Sequence, residues 1–226
     1  IRDPEAVREA VWDADVVIHL AAIVGYPACK KNPQIAEDVN LGGTMNLDKA
    51  RSRSQMVVFA STGSNYGHVP EGVCTEETPL NPLTLYGVTK TEAEKRLLES
   101  GNVIVYRFAT AFGLSPRLRL DLMINDFVYQ AVVNRQLIVY ERHFQRTFIH
   151  VQDMARALVF AIDHAGQMRD EVFNVGSEAA NLTKEDVALM IREKLNYFLH
   201  FADIDKDEDQ RNYAVSFSRI RSLGFE

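Results

Sequence analysis

Cysteine, long apolar runs and blocks of like charge are scarce in this chain, and each shortage removes a class of protein. Two cysteines in 226 residues, Cys29 and Cys74, make neither a disulfide framework nor a paired metal motif. That usage fits a reducing compartment, and a cytoplasmic protein is expected. No apolar stretch approaches the ~18 residues of a membrane-spanning helix, and no signal-like segment opens the chain. The formal net charge is −6 with no Lys/Arg-rich run, so neither nucleic acid nor a membrane surface is an expected partner. The six histidines show no metal-ligand spacing. In the acidic run Asp203-Ile-Asp205-Lys-Asp207-Glu208-Asp209, Glu208 and Ala214 stand where a calcium-binding EF-hand loop requires Gly and Glu. No metal is expected.

What is present is ordinary for a globular protein: 46% apolar and 25% charged residues, in a length that suits one α/β domain with or without a small lobe. There is no internal repeat and no low-complexity linker. The chain opens at Ile1 rather than Met and stops at Ser222-Leu-Gly-Phe-Glu226, which reads as part of a larger protein.

Strand and helix patterns alternate. Asp15-Val-Val-Ile-His-Leu20 is a short β-branched run of the kind that forms a buried parallel strand. A helix is expected over 33–52, with Ile35, Val39, Met45 and Leu47 as its apolar positions. Residues 55–60 read as a strand ending at Ser61-Thr62. Residues 82–100 read as a helix that starts at Asn81-Pro82 and is closed by Gly101, and 102–107 as a third strand. Such units imply right-handed crossovers and a parallel sheet. Beyond about Arg117 the texture changes. A helix is expected over 118–135 after a basic loop holding Arg117 and Arg119, which read as solvated or bracing. Short strands are expected at 137–140 and 146–151, a helix over 153–165 and a strand at 171–175. Thr183 with Asp186 three residues on reads as a helix cap, which accounts for Asn181-Leu-Thr183 better than glycosylation does. His150 reads as a hydrogen-bonded core residue.

The chemistry concentrates in Tyr86-Gly-Val-Thr-Lys90. On a helix, residues four apart share a face, so a phenol and an ammonium lie about a turn from each other. The ammonium favours phenolate and draws the tyrosine down from its ordinary value near 10. Thr62, delivered by the upstream strand, adds a hydroxyl. Together the three can take a proton from an alcohol while hydride leaves the same carbon. Tyr26-Pro-Ala-Cys-Lys30 has the same spacing, but Pro27 argues against a regular helix there and no strand-end hydroxyl precedes it.

Six stretches in order carry a wider resemblance: Asp15-Val-Val-Ile-His-Leu-Ala-Ala22, Asn40-Leu-Gly-Gly-Thr44, Ser61-Thr-Gly-Ser-Asn-Tyr-Gly67, Tyr86-Gly-Val-Thr-Lys90, Arg107-Phe-Ala-Thr-Ala-Phe-Gly113 and Arg146-Thr-Phe-Ile-His-Val-Gln-Asp153. Together they resemble the extended short-chain dehydrogenase/reductases that act on nucleotide sugars. The resemblance implies an α/β fold, a Rossmann-type doubly wound parallel sheet with a smaller C-terminal substrate lobe. Residues 1–114 would be the remainder of the dinucleotide-binding domain. Residues 115–226 would be mainly the sugar-nucleotide lobe, with some segments returning to the core. The family's Gly-rich turn is absent, and Gly42-Gly43 lies inside a helix. Roughly 50–60 residues carrying that turn, the usual size of such βαβ units, would precede Ile1, along with the residue that selects NAD or NADP.

The resemblance implies NAD as cofactor, held by Leu20, Ala21, Ala22, Asn40, Ala60, Ser61, Tyr86 and Lys90. Thr62, Tyr86 and Lys90 would be catalytic. Ser64, Thr110, Arg146 and Arg211 would bind a nucleotide-diphosphate sugar, the two arginines on its diphosphate. Thr110 stands where the family commonly has Asn. The helices at Pro33 and Pro82 would pair across a homodimer. In the family's 4,6-dehydratases and decarboxylases a carboxylate follows the catalytic Thr, and in 3,5-epimerase–reductases a Cys; here Gly63 and Ser64 follow. That favours a 4-epimerase or a simple 4-dehydrogenase, and the epimerase is placed first. A 4-dehydrogenase is the alternative, because the loop 113–126 is similar to that of GDP-heptose 4-dehydrogenases, and a non-catalytic dinucleotide-binding sensor or scaffold is the second.

Overall fold

The computed structural model describes residues 1–202 and 212–226; Arg211 and the acidic run 203–209 lie outside them. In chain order the first half is α1 (Pro4–Val11), β1 (Val16–His19), α2 (Tyr26–Lys31), α3 (Pro33–Glu37), a π-helical segment (Asp38–Gly42), α4 (Gly43–Ala50), β2 (Met56–Thr62), β3 (His68–Cys74) and α5 (Leu85–Ser100). Next come β4 (Val103–Phe108), β5 (Thr110–Phe112), α6 (Met123–Tyr129), β6 (Gln136–Tyr140), β7 (Gln145–His150), α7 (Val151–Asp163) and α8 (Ala165–Met168). The last are β8 (Glu171–Val175), β9 (Asn181–Thr183), α9 (Lys184–Arg192), β10 (Phe198–Ala202), β11 (Asn212–Val215) and α10 (Ser218–Arg221).

Four strands form a parallel sheet in the order β1-β2-β4-β8. Its middle strands are apolar on both faces, as a sheet covered by helices on both sides requires. The strand period divides their side chains between two cores. Val57, Phe59, Val103 and Val105 pack with Val7 and Val11 of α1, Leu47 of α4, and Ala93 and Leu97 of α5. Val58, Ile104 and Tyr106 point the other way, onto Ala157 and Ala161 of α7, Met168, Phe173 and Ile220. Each large apolar side chain buried there contributes about 1.5–3 kcal/mol. This is the doubly wound arrangement expected of the resemblance.

A third core forms beside the one on each face of the sheet. Phe127, Leu137, Val139, Phe148, Val187 and Tyr197 pack together around the parallel pair β6–β10 and the three-stranded sheet β5-β7-β9. Beyond 115, α6, β6, α9 and β10 contribute to this third cluster, α7, β8 and α10 pack on the central sheet, and β7 serves both, through Phe148 and Ile149 respectively.

Several local readings are corrected. Tyr26–Lys31 is helical because Pro27 falls in the first turn, where its missing N–H costs nothing. Helix α5 starts at Leu85 rather than at Pro82; Thr84 is its cap, accepting from the Gly87 amide at 3.2 Å, while the Asn81 amide is spent on the Asn65 carbonyl at 2.9 Å. The expected helix over 118–135 is confined to Met123–Tyr129 and a π turn, Gln130–Asn134. His150 is half-buried and caps α7. Thr183 and Asp186 form the capping box read from sequence. Among the described residues no helix is long and apolar enough to cross a membrane.

Candidate functional site

The candidate side chains Thr62, Tyr86 and Lys90 gather where the C-terminal ends of β1 and β2 meet the first turns of α5, the crevice in which open α/β sheets bind ligands. Thr62 ends β2 and caps the 3₁₀ turn Gly63–Tyr66, its Oγ1 accepting from the Ser64 amide and donating to Ser64 Oγ, both at 3.1 Å. The bond to Ser64 Oγ uses the hydroxyl's one proton, which the O–H rotor can turn toward a ligand oxygen instead while the Ser64 amide still holds the threonine oxygen. Gly87 explains how α5 comes so close. A Cβ there would stand 2.9 Å from Pro82 Cβ and 3.3 Å from the Ser64 carbonyl oxygen. A glycine after Tyr86 therefore lets the tyrosine's turn lie against the Thr62 turn. Tyr86 is half-buried at the second position of the helix.

Lys90 lies one turn further along, 1% exposed. Its Nζ sits 3.9 Å from the centroid of the Phe59 ring. Burial pushes its pKa down to about 7, against the pull of Glu94. His19 packs on the same Phe59 ring, with centroids 5.5 Å apart, and its Nε2 is 2.9 Å from Thr44 Oγ1. Burial, and then the Lys90 charge, push His19 down to about 3.

The folded pKa of His19 lies below its unfolded value of about 6.5, so the unfolded chain binds the extra proton. The stabilisation is whole above pH 6.5 and is lost as pH falls toward 3, by up to about 1.4 kcal/mol per pH unit. Urea unfolding between pH 4 and 7 should show this slope flattened in His19→Asn; equal slopes in the two proteins would refute it.

Asn40 connects the two halves of the site. It occupies the π-helical segment, whose irregular ladder is marked by a Thr44 hydroxyl donating to the Asn40 carbonyl at 2.6 Å. Its side chain accepts from the Ile23 amide at 2.7 Å and donates to the Ile23 carbonyl at 3.0 Å, and it reaches Thr89 of α5 at 3.3 Å. Residues 20–23 are thereby held as a floor after β1, with Leu20 54% exposed. A floor at the end of a parallel strand, braced from behind and bordered by Lys90, fits a dinucleotide. Ser61 contributes only backbone there, since its hydroxyl donates to Glu94 at 2.6 Å and accepts from Asn65 at 3.1 Å.

Beside this crevice lies a cavity of about 530 Å³ between α2, the loop 119–122, α6 and β7. Thr110 and Arg146, two of the expected substrate-binding residues, line it. Arg119 lines it too, and braces the loop. It is hydrogen-bonded to Asp121 at 2.7 and 2.6 Å and to the Val24 carbonyl at 3.3 Å. Its pKa is raised chiefly by the Asp121 bond, with Tyr86 adding a smaller pull. No motif in the sequence points to Lys184. It is 3% exposed, donates to the Tyr140 carbonyl at 3.1 Å, and lines the cavity together with Arg146, itself 4% exposed. Among the described residues no cluster of His, Cys, Asp and Glu could hold a metal ion.

Residues 1–176 match the model of the NAD dependent epimerase/dehydratase family. The whole chain is 30% identical over 240 residues to a UDP-N-acetyl-alpha-D-glucosaminuronate decarboxylase of Bacillus cytotoxicus, covering 70% of that protein. With 92% of its length it is 29% identical to YtcB of Bacillus subtilis, described as an uncharacterized UDP-glucose epimerase, of which it covers 68%. The structure of MoeE5 in complex with UDP-glucose and NAD superposes with a TM-score of 0.82 at 26% identity, covering 99% of this chain and 78% of that one. The chain belongs to the NAD-dependent epimerase/dehydratase family, enzymes of nucleotide-sugar metabolism within the extended short-chain dehydrogenase/reductases.

Proposed function

We propose that this enzyme inverts C4 of a nucleoside-diphosphate sugar through a transient 4-keto sugar. Tyr86 takes the proton of the C4 hydroxyl and gives it back, Lys90 holds the phenol's proton affinity down, and Thr62 hydrogen-bonds the C4 oxygen. NAD, when bound, supplies reversible hydride chemistry at that carbon. Its binding surface is the floor Leu20–Ala22, the backbone of Ala60 and Ser61, and the side chains of Asn40, Tyr86 and Lys90. Arg146 and Lys184 hold the diphosphate from the wall of the cavity, while Ser64 and Thr110 face the sugar. Arg146 suits the task because its planar fork matches phosphate oxygens. Exposed Ile35 on α3 and Val88 on α5, two helices in contact, support pairing of this face in a homodimer.

The observation that carries the reading is the turn after Thr62. Gly63 and Ser64 offer neither carboxylate nor thiol, and elimination of water across C5–C6 needs a general acid near C6. The turn thus supports chemistry confined to C4. Proton NMR of the enzyme with NAD and a panel of UDP-, GDP- and dTDP-sugars tests it. A C4 epimer at equilibrium without accumulated NADH is expected. A 4-keto product with stoichiometric NADH would make the enzyme a 4-dehydrogenase, and binding without turnover would make it a sensor or scaffold.

A further inference from the structure

Helix α5 carries one more charge at depth. Glu92 and Glu99 point outward, whereas Glu94 is 2% exposed. A carboxylate in such a place must be fully paired. Arg107 on β4 donates to Glu94 Oε1 from Nη2 at 2.5 Å and from Nε at 3.1 Å. Ser61 Oγ and Asn65 Nδ2 donate to Oε2 at 2.6 and 3.2 Å. Arg107 continues to the Tyr66 hydroxyl at 3.1 Å and the Glu76 carbonyl at 3.0 Å, and Tyr66 donates to Asn174 at 2.7 Å. The network pins α5 to the ends of β2, β4 and β8.

Lys90 stands one helical turn before this carboxylate, sealed from water over the Phe59 ring. An ammonium there needs a compensating charge. Few others are available on the elements packed against α5. His19 is neutral, Tyr66 is a phenol pushed up to about 12 by burial, and Arg107 is positive and bound to Glu94. Lys30 is exposed, and Asp38 and Asp48 hold Gln34 and Arg51.

We propose that Glu94 is a positioning residue: its carboxylate, fixed by Arg107, Ser61 and Asn65, is the counter-charge that keeps Lys90 an ammonium, and through Lys90 it sets the proton affinity of Tyr86. The last clause rests on Tyr86 being the base. Ser61 and Asn65 belong to the strand end and turn that hold Thr62, so one carboxylate also fixes the threonine and the lysine relative to each other.

The test separates the two parts. In enzyme labelled with ¹⁵N at lysine Nζ, Lys90→Met identifies the Lys90 resonance. Its titration midpoint, near 7 in the wild type, should fall by about 1–2 pH units in Glu94→Gln, as expected for removing a charge roughly 6 Å away. Glu94→Asp, which keeps the charge, should restore most of it. Should Glu94→Gln not fold with Arg107 unpaired, the charge-balanced Glu94→Gln/Arg107→Gln variant is read instead, with a fall of about 1 pH unit. An unmoved midpoint overturns the proposal. In kinetics, Glu94→Gln should lose about tenfold or more in kcat at pH 7 and recover toward pH 9–10, where an unassisted tyrosine ionises. A midpoint that falls while the pH profile stays put overturns the link to Tyr86, and with it the reading of Tyr86 as base.

Discussion

Replacing Tyr86 with Phe should lower kcat about 10³-fold, the usual contribution of a positioned acid–base group, while NAD binding changes by less than about threefold. The substitution removes one oxygen from a half-buried ring and leaves the helix intact, because the cap at Thr84 and the Thr89–Asn40 tie lie elsewhere in the turn. Loss of turnover therefore reports proton transfer rather than folding. A pure dinucleotide binder would lose nothing, since it has no use for the phenol's proton. Turnover within tenfold of wild type would show that another group is the base.

The motif residues were legible because their chemistry is local. Tyr86 and Lys90 declare a shared helical face by spacing alone, and the run Met56–Phe59 declares a buried strand by composition. The capping box at Thr183 is equally local. What was missed depends on distant partners. Strand β3 contains Pro70, Glu71 and Gly72, a turn-like composition, and exists because β11 pairs with it from some 140 positions away. Glu94 resembles the surface glutamates beside it on α5 until Arg107 reaches it from another strand. Lys184, at a helix start, reads as solvated; only the lobe's packing puts its ammonium near the Phe144 ring and the Tyr140 carbonyl. The Pro27 helix failed for a different reason, since a proline breaks a helix interior but is welcome in its first turn.

Lys90→Met should give a protein that is more stable and nearly inactive. A buried lysine whose folded pKa has dropped from 10.5 to about 7 is protonated in the unfolded chain over a range where the native one is neutral. Linkage fixes the sign. The native state gains stability as pH rises from 7 to 10.5, and below pH 7 it carries the full cost of the buried ammonium. That cost is on the order of 4–5 kcal/mol, at about 1.4 kcal/mol for each pH unit of displacement. Methionine keeps the length of the stem against Phe59 and brings no charge, so near neutrality the variant should be more stable in urea. The advantage should shrink steadily and vanish by about pH 10.5. Meanwhile kcat should fall about 10²–10³-fold, because the proposed base Tyr86 loses the positive charge that favours its phenolate. A lysine retained only for packing would show the opposite pair of effects, lower stability and little kinetic change. Residues that cost the fold this much persist where the chemistry needs them, so the sign of the stability change decides between a structural and a catalytic Lys90 without knowledge of the sugar.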